Sequence, residues 1–443
     1  MIASLMMGGR SKPAAPPSPT HRAIEAVWRI ESAKIIAVLA RMLRDVGLAE
    51  EFAQDVLITA LEQWPDQGVP DNPAAWLTAS AKNRALDHLR RNQLLDRKHQ
   101  ELGREMEVRQ ELADIARAET EERIDEDIDD DLLRLIFTAC HPVLSSEARV
   151  ALTLKLLGGL STEEIARAFL MPEPTVAQRI VRAKRSLTEA RVPFELPRGA
   201  DRAARLGSVL EVIYLIFNEG YAATAGEDWM RPALCEEALR LGRILAGLMP
   251  EEAEVHGLTA LMEIQASRAN ARVGPQGEPI LLLEQNRARW DHLLIGRGLA
   301  ALARAEAPGG FGPYGLQAAI AACHARAATA GATDWPRIAA LYDALAQLTP
   351  SPVIELNRAV AVCMAYGPAA GLEIVDALLE EAALKNYHLL PSVRGDFLFK
   401  LGRVAEAGAE FERAASLTRN ARERSLLLER ALDCTRALPP AQG

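Results

Sequence analysis

The stretch STEEIARAFLMPEPTVAQRIVRAKRSL, residues 161–187, decides how the chain is read. Ser161 with Glu164 three residues on fits a capping box, in which each side chain satisfies the other residue's backbone N–H at a helix start. A short helix through Ile165, Ala166 and Phe169 is expected to stop at Leu170-Met171-Pro172. Pro174 suits the first position of a second helix, where a backbone N–H would have no partner anyway. On that helix Val176, Ile180, Ala183 and Leu187 share one narrow apolar stripe. Thr175, Gln178, Arg182 and Arg185 take the opposite face, with Arg179 and Lys184 on its flanks. A helix, a tight turn and a second helix with one buried and one basic-amide side is the form of a helix-turn-helix reader. Arginine and glutamine pair bidentately with guanine or adenine edges, and the remaining cations hold phosphates. An ordinary helical hairpin with a solvated charged face is the alternative.

Residues 48–92 carry a second pattern. Phe52, Val56, Leu57, Ala60, Leu61 and Trp64 form the apolar side of one amphipathic helix. Glu50, Glu51, Gln54, Asp55, Thr59 and Glu62 give it an acidic-amide exposed side. A loop over residues 65–71 follows, and Asn72 as N-cap with Pro73 at the first position starts the next helix. Leu77, Ala81, Ala85 and Leu89 repeat every four residues and should be buried. Trp76, Asn83, Asp87, Arg90 and Arg91 share the opposite side, with Arg84 at its edge. An aromatic, an amide and arginines on one face suit single-stranded or distorted nucleic acid, where bases stack and phosphates pair with cations. Trp76 serves equally well as core.

Outward from these segments the chain is helical by periodicity, with no convincing alternating strand, so an all-α fold is expected. At 443 residues it should contain about three domains. Residues 1–20, rich in proline, read as a disordered tail without the order of a secretory signal. Residues 21–95 form a compact helical block and 96–131 a charged linker. The linker's acidic run at 121–131 is either solvated or the first turn of the next helix, where the helix dipole favours carboxylates. A second block covers 132–193, and residues 200–443 form an Ala/Leu-rich helical extension. Within it Leu356 to Gly367 and Leu390 to Gly402 each lead a helix into a glycine turn, 35 residues apart. That spacing is close to the roughly 34-residue tetratricopeptide (TPR) period, and Ala407, Phe411 and Ala414 sit where a second TPR helix packs, so TPR-like repeats are expected at about 335–435.

The net charge of −9 argues against coating nucleic acid through bulk charge, but not against a local basic face, since screening acts over about 8 Å. Cys140, Cys235, Cys323, Cys363 and Cys434 are odd in number, far apart and never in a CxxC pair, so buried thiols are expected rather than disulfides or a metal site. No apolar run reaches the roughly 20 residues of a membrane span, and a cytoplasmic protein without membrane partners follows.

Together these residues resemble the extracytoplasmic-function (ECF) type of the sigma-70 family. Glu51-Phe52-Ala53-Gln54-Asp55 with residues 60–64 resembles region 2.2, and the resemblance implies that Glu51, Gln54 and Asp55 face core RNA polymerase. Asn72-Pro73-Ala74-Ala75-Trp76-Leu77 with Asn83, Asp87 and Arg90-Arg91 resembles regions 2.3 and 2.4, implying −10 recognition by Trp76, Asn83, Arg84, Asp87, Arg90 and Arg91. Residues 161–187 resemble region 4.2, implying −35 recognition by Thr175, Gln178, Arg179, Arg182, Lys184 and Arg185. Residues 135–142, 216–221 and 351–360 resemble a subgroup with a TPR-containing extension, encoded beside small DGPF-motif proteins, in which the extension contributes to activity or its control. Two positions depart from the family's pattern: Leu170 stands at the usual turn glycine, and Pro174 replaces a small residue.

The resemblance implies a binding protein, not an enzyme, without cofactor or metal. Its partners are core RNA polymerase, promoter DNA and a protein that binds the repeat. A helix-turn-helix regulator with a TPR sensor is the competing reading, and a pure TPR scaffold a third. No phosphate loop, HExxH or GxSxG stands in the chain. The cluster Phe217-Asn218-Glu219-Gly220-Tyr221 reads as a helix end stopped by Gly220.

Overall fold

Helical periodicity and caps account for nearly all of the architecture. The computed structural model describes residues 19–99, 124–226, 228–275, 277–306 and 310–437. Most of the expected tail and the middle of the expected linker, 100–123, lie outside the described residues. The fold is all-α; the described residues include two short strands, β1 (Ala225–Gly226) and β2 (Arg419–Asn420), paired in parallel, and a bridge between Val273 and Pro279.

The chain forms two compact units. One comprises 1–138, 156–159 and 184–195, and the other 139–155, 160–183 and 196–443. In the first, α1 (Pro19–Leu43), α2 (Val46–Gln67) and α3 (Pro73–His99) pack around Ile35, Leu39, Val56, Trp64, Leu77 and Ala81. Asp45 caps α2 by accepting from the Leu48 N–H, and Asn72 caps α3 at Ala75. Helix α2 runs through Pro65 to Gln67, so part of the expected loop is its last turn, closed by Gly68 at φ +87°. Its buried stripe includes Ala49 and Ala53, whereas Phe52 is only half-buried. Helix α4 (Ile124–Ala139) takes up much of the acidic run, the second of the two readings of that segment. Asp131 is fully buried there and bridges Arg41 (2.8 Å) and Arg134 (2.6 Å). A carboxylate can be dry when two guanidiniums take its charge.

Next in the chain come α5 (Ser146–Leu156), α6 (Thr162–Ala168) and, after a turn, α7 (Glu173–Glu189), whose residues up to Ala183 belong to the second unit and those from Lys184 to the first. The extension opens with α8 (Gly199–Tyr221), α9 (Pro232–Leu248) and α10 (Ala253–Ala266), then α11 (His292–Arg304), α12 (Pro313–Arg326) and α13 (Trp335–Leu348). Gly220 lies inside α8, which ends at Tyr221. A Cβ at Gly220 would meet the Cys235 backbone nitrogen at 2.6 Å, so close approach of α9 explains that glycine better than a helix stop.

The last part contains two helical hairpins, α14 (Pro352–Tyr366) with α15 (Pro368–Ala377), and α16 (Leu389–Lys400) with α17 (Val404–Leu417). Their turns fall on Gly367 and Gly402, at φ +102° and +77°, which a residue with a Cβ adopts only at a cost. Phe397, Ala407, Phe411 and Ala414 are buried in the shared core. Helix α18 (Ala421–Ala437) closes the stack. Asn420 at its start is 1% exposed, caps α18 by accepting from the N–H groups of Arg422 and Glu423, and donates to the carbonyls of Ala223 (3.0 Å) and Asp228 (2.9 Å). One amide thus ties the end of the extension to its beginning.

Replacing Asn420 with Ala removes a cap and takes the side-chain donor from the carbonyls of buried Ala223 and exposed Asp228. The expected loss is about 2 kcal/mol of stability by urea denaturation, with faster amide exchange in α18.

Candidate functional site

The turn between α6 and α7 sets the first candidate surface. The capping box forms as read: Ser161 Oγ accepts from the Glu164 N–H (3.1 Å) and Glu164 Oε2 from the Ser161 N–H (2.7 Å). Leu170 stands at φ +49°, the left-handed region that a turn glycine would otherwise fill, so the backbone keeps the turn despite the departure in sequence. Pro172 accepts from the N–H groups of Thr175 and Val176, and α7 begins at Glu173, one residue earlier than expected. Val176, Ile180, Ala183 and Leu187 are all buried. Thr175, Gln178, Arg182 and Arg185 are exposed, and Arg185 pairs with Glu189 at 2.6 Å. Arg179 is half-buried, 3.6 Å from the Met171 sulfur.

Lys184 is placed differently from its neighbours. Its side chain is 20% exposed and its ammonium forms an ion pair with Glu50, whose side chain is 7% exposed. Burial lowers the Lys184 pKa, while Asp45 works in the other direction. Glu50, read as part of an exposed acidic side, is therefore buried. It falls one turn beyond Val46 and next to Ala49, at the edge of the buried stripe, and this spacing is the signal that could have revealed it. Thr188 donates to Asp45 at 3.4 Å on the same seam.

The second surface lies on α2 and α3. Glu51 is exposed, Gln54 and Asp55 are half-buried, and Gln54 donates to Glu50. Arg84 donates to Thr59 Oγ1 (2.6 Å) and lies 3.4 Å from Asp55, so two residues read as serving different partners meet across the two helices. Trp76 is half-buried with its ring edge-on to the buried Trp64, centroids 5.4 Å apart, which leaves part of its face to solvent. Asn83, Asp87, Arg90 and Arg91 are exposed, Asp87 and Arg90 being 3.5 Å apart.

A third contact set joins α5 to α8. Arg149 is 8% exposed, donates to Ser208 and reaches Glu211 at 3.1 Å, while Ser208 donates to the Cys140 carbonyl at 2.6 Å. All five cysteines are buried and unpaired, and burial raises the Cys140 thiol to about 11. Among the described residues no cluster of ligand-type side chains could hold a metal, and no helix is long and apolar enough to cross a membrane.

A three-helix module with an acidic-amide and an aromatic-cationic face, followed by a helix-turn-helix, defines an all-α transcription factor of the sigma type. Comparison with known proteins agrees. Residues 29–94 match sigma-70 region 2, residues 134–187 match sigma-70 region 4, and residues 205–306 match a family of unknown function, DUF6596. The ECF RNA polymerase sigma factor SigK of Mycobacterium bovis (strain BCG / Pasteur 1173P2) is 30% identical over 35% of this chain and 78% of its own length. The probable ECF RNA polymerase sigma factor SigI of Mycobacterium tuberculosis (strain CDC 1551 / Oshkosh) is 24% identical over 39% of this chain and 57% of its own. An uncharacterized protein of Rhizobium meliloti (strain 1021) is 44% identical over 88% of this chain and 90% of its own length, extension included. The chain belongs to the ECF-type sigma-70 family of transcription initiation factors, and carries a C-terminal extension.

Removing one partner of the Glu50–Lys184 pair takes from the other its opposite charge in a largely buried setting. Lys184→Met should cost about 2–3 kcal/mol, and Glu50→Gln in the same chain should recover most of it. A double-mutant cycle by chemical denaturation checks this, and strictly additive losses would show that the pair contributes nothing.

Proposed function

We propose that the chain divides promoter recognition between its two reading surfaces and that its extension modulates initiation. As a member of the sigma family it acts on core RNA polymerase and promoter DNA. On this reading Glu51, Gln54 and Asp55 dock on core polymerase in the cytoplasm. Trp76, Asn83, Arg84, Asp87, Arg90 and Arg91 take the melted −10 strand, Trp76 through its open ring face and the arginines through phosphates. Thr175, Gln178, Arg182 and Arg185 read the −35 element in the major groove, flanked by Arg179. Lys184 joins them as a phosphate contact only when it leaves Glu50. The observation that carries the reading is α7 itself, with its apolar stripe buried and its Thr/Gln/Arg face open to solvent.

The extension's role rests on the α5–α8 seam. Arg149, on the helix before the reader, is desolvated and needs Ser208 and Glu211 from the extension. The reader is thereby coupled to the helical repeats, whose stacked hairpins offer a protein partner a surface on which to act.

Purified core polymerase with this chain, and no other sigma factor, should give promoter-specific transcripts. A regulator of another class would give none, and failure of the chain to associate with core enzyme would overturn the reading. Arg182→Ala or Arg185→Ala should cost about 1–3 kcal/mol at the −35 element and relax preference there, whereas a uniform loss on all sequences would make them phosphate contacts. Glu211→Arg places a second cation beside Arg149 and should change transcript yield at equal holoenzyme concentration. An unchanged yield would separate the extension from initiation.

A further inference from the structure

Three arginines of the extension, Arg268, Arg272 and Arg287, are withdrawn from solvent without an ion pair to a carboxylate among the described residues. Arg268 is 9% exposed, Arg272 is 7% exposed and Arg287 is half-buried. Arg268 donates to Gln265 Oε1 at 2.9 Å, and its guanidinium lies 5.7 Å and 5.9 Å from the ring centroids of Tyr221 and Trp290. Arg272 stacks on Tyr221 at 3.5 Å and donates to that residue's carbonyl. Arg287 donates to the carbonyls of His324 and Ala327 and to Thr333 Oγ1. Aromatic faces and carbonyl dipoles soften the burial of a cation but do not neutralise it. This part of the extension therefore carries uncompensated positive charge in a poorly hydrated setting.

Arg268 also lines a cavity of about 220 Å³ bounded by residues of α10, α12, α13 and α14. Leu261, Ile320 and Ile354 are among its apolar lining, and Gln265, Arg268, Gln317, His324 and Tyr342 among its polar lining. Arg268 Nε and His324 Nδ1 have no hydrogen-bond partner, and both residues are more than nine-tenths buried. A buried guanidinium N–H without an acceptor is costly, and its pairing with an anion is the usual remedy. Burial, then Arg268 and Arg287, hold the His324 imidazole down to about 4, so it is neutral at physiological pH and free to donate or accept beside the arginine. Asn357 lines the same cavity and is exposed, which places it at the mouth.

We propose that this cavity binds a small organic carboxylate with an apolar body. The carboxylate sits on Arg268 within reach of His324 and Gln317, and the aliphatic or aryl part lies against Leu261, Ile320 and Ile354. One guanidinium among otherwise neutral polar groups fits a monoanion, and the walls of Leu261, Ile320 and Ile354 favour a ligand with an apolar body, which phosphate lacks. The volume equals roughly seven waters at about 30 Å³ each, which suits a ligand of amino-acid size and excludes a peptide chain. The inference is independent of how the chain engages polymerase or DNA, because binding is read without either.

The test is calorimetric titration of the full chain with 4-methylpentanoate and with benzoate, using 4-methylpentanamide and inorganic phosphate as controls. At least one carboxylate should bind saturably with a Kd of about 1 mM or tighter, and the amide and phosphate at least about tenfold more weakly. Arg268→Gln and, separately, Asn357→Phe at the exposed mouth should each weaken carboxylate binding about tenfold or more. Thermal unfolding of each variant verifies that it is folded, and the surface variant Asn357→Phe keeps the test decisive should Arg268→Gln unfold. Absence of saturable carboxylate binding overturns the proposal. So does equal binding of the amide or of phosphate, or unchanged affinity in both folded variants.

Discussion

A guanidinium withdrawn from water must find acceptors, and at Arg149 that requirement shapes the second unit. Beside Ser146 Oγ on its own helix (2.9 Å), its acceptors are Ser208 and Glu211, on the first helix of the extension, and Ser208 in turn donates to the Cys140 carbonyl just after α4. No residue of the helix-turn-helix segment replaces them. The helix before the helix-turn-helix and the first helix of the extension thus share one seam of desolvated polar groups. Such a seam favours this docking geometry, because moving the two helices apart would leave further buried polar groups unpaired.

The same constraint recurs with different partners. Asp131 is dry because Arg41 and Arg134 flank it, Glu50 is dry because Lys184 reaches it, and Asn420 is dry because it satisfies two carbonyls and two helix-start amides. Each joins segments distant in sequence, as far apart as Asn420 and Ala223. Apolar stripes bring the helices together, and these polar contacts fix how they meet. At the extension's cavity the balance is incomplete, since Arg268 Nε and His324 Nδ1 are buried without partners.

For the exposed faces of α7, α2 and α3 the consequence is selective. Thr175, Gln178, Arg182 and Arg185 stay in solvent because the apolar stripe of α7 lies opposite them. Lys184, a flank residue, is drawn toward carboxylates instead. On α2 and α3 the Arg84–Asp55–Thr59 bridge ties an acidic-amide face to an aromatic-cationic one. Such partly exposed pairs contribute little to stability, about 1 kcal/mol or less.

Periodicity and local chemistry made much of this legible in the amino-acid order alone. The all-α class, the capping box at Ser161, the buried set Leu77, Ala81 and Ala85, the stripe and open face of α7, and the glycine turns at 367 and 402 depend on neighbours a few residues apart, which a sequence displays directly. What the sequence could not display were pairings across long separations: Lys184 with Glu50, Asp131 between two arginines, Arg149 with Ser208, and the unpaired cluster around Arg268. Helical phase places a charged residue at the edge of a stripe. Whether it then faces water or a partner is decided only when another helix arrives, because desolvation is a property of the packed neighbourhood and not of the residue.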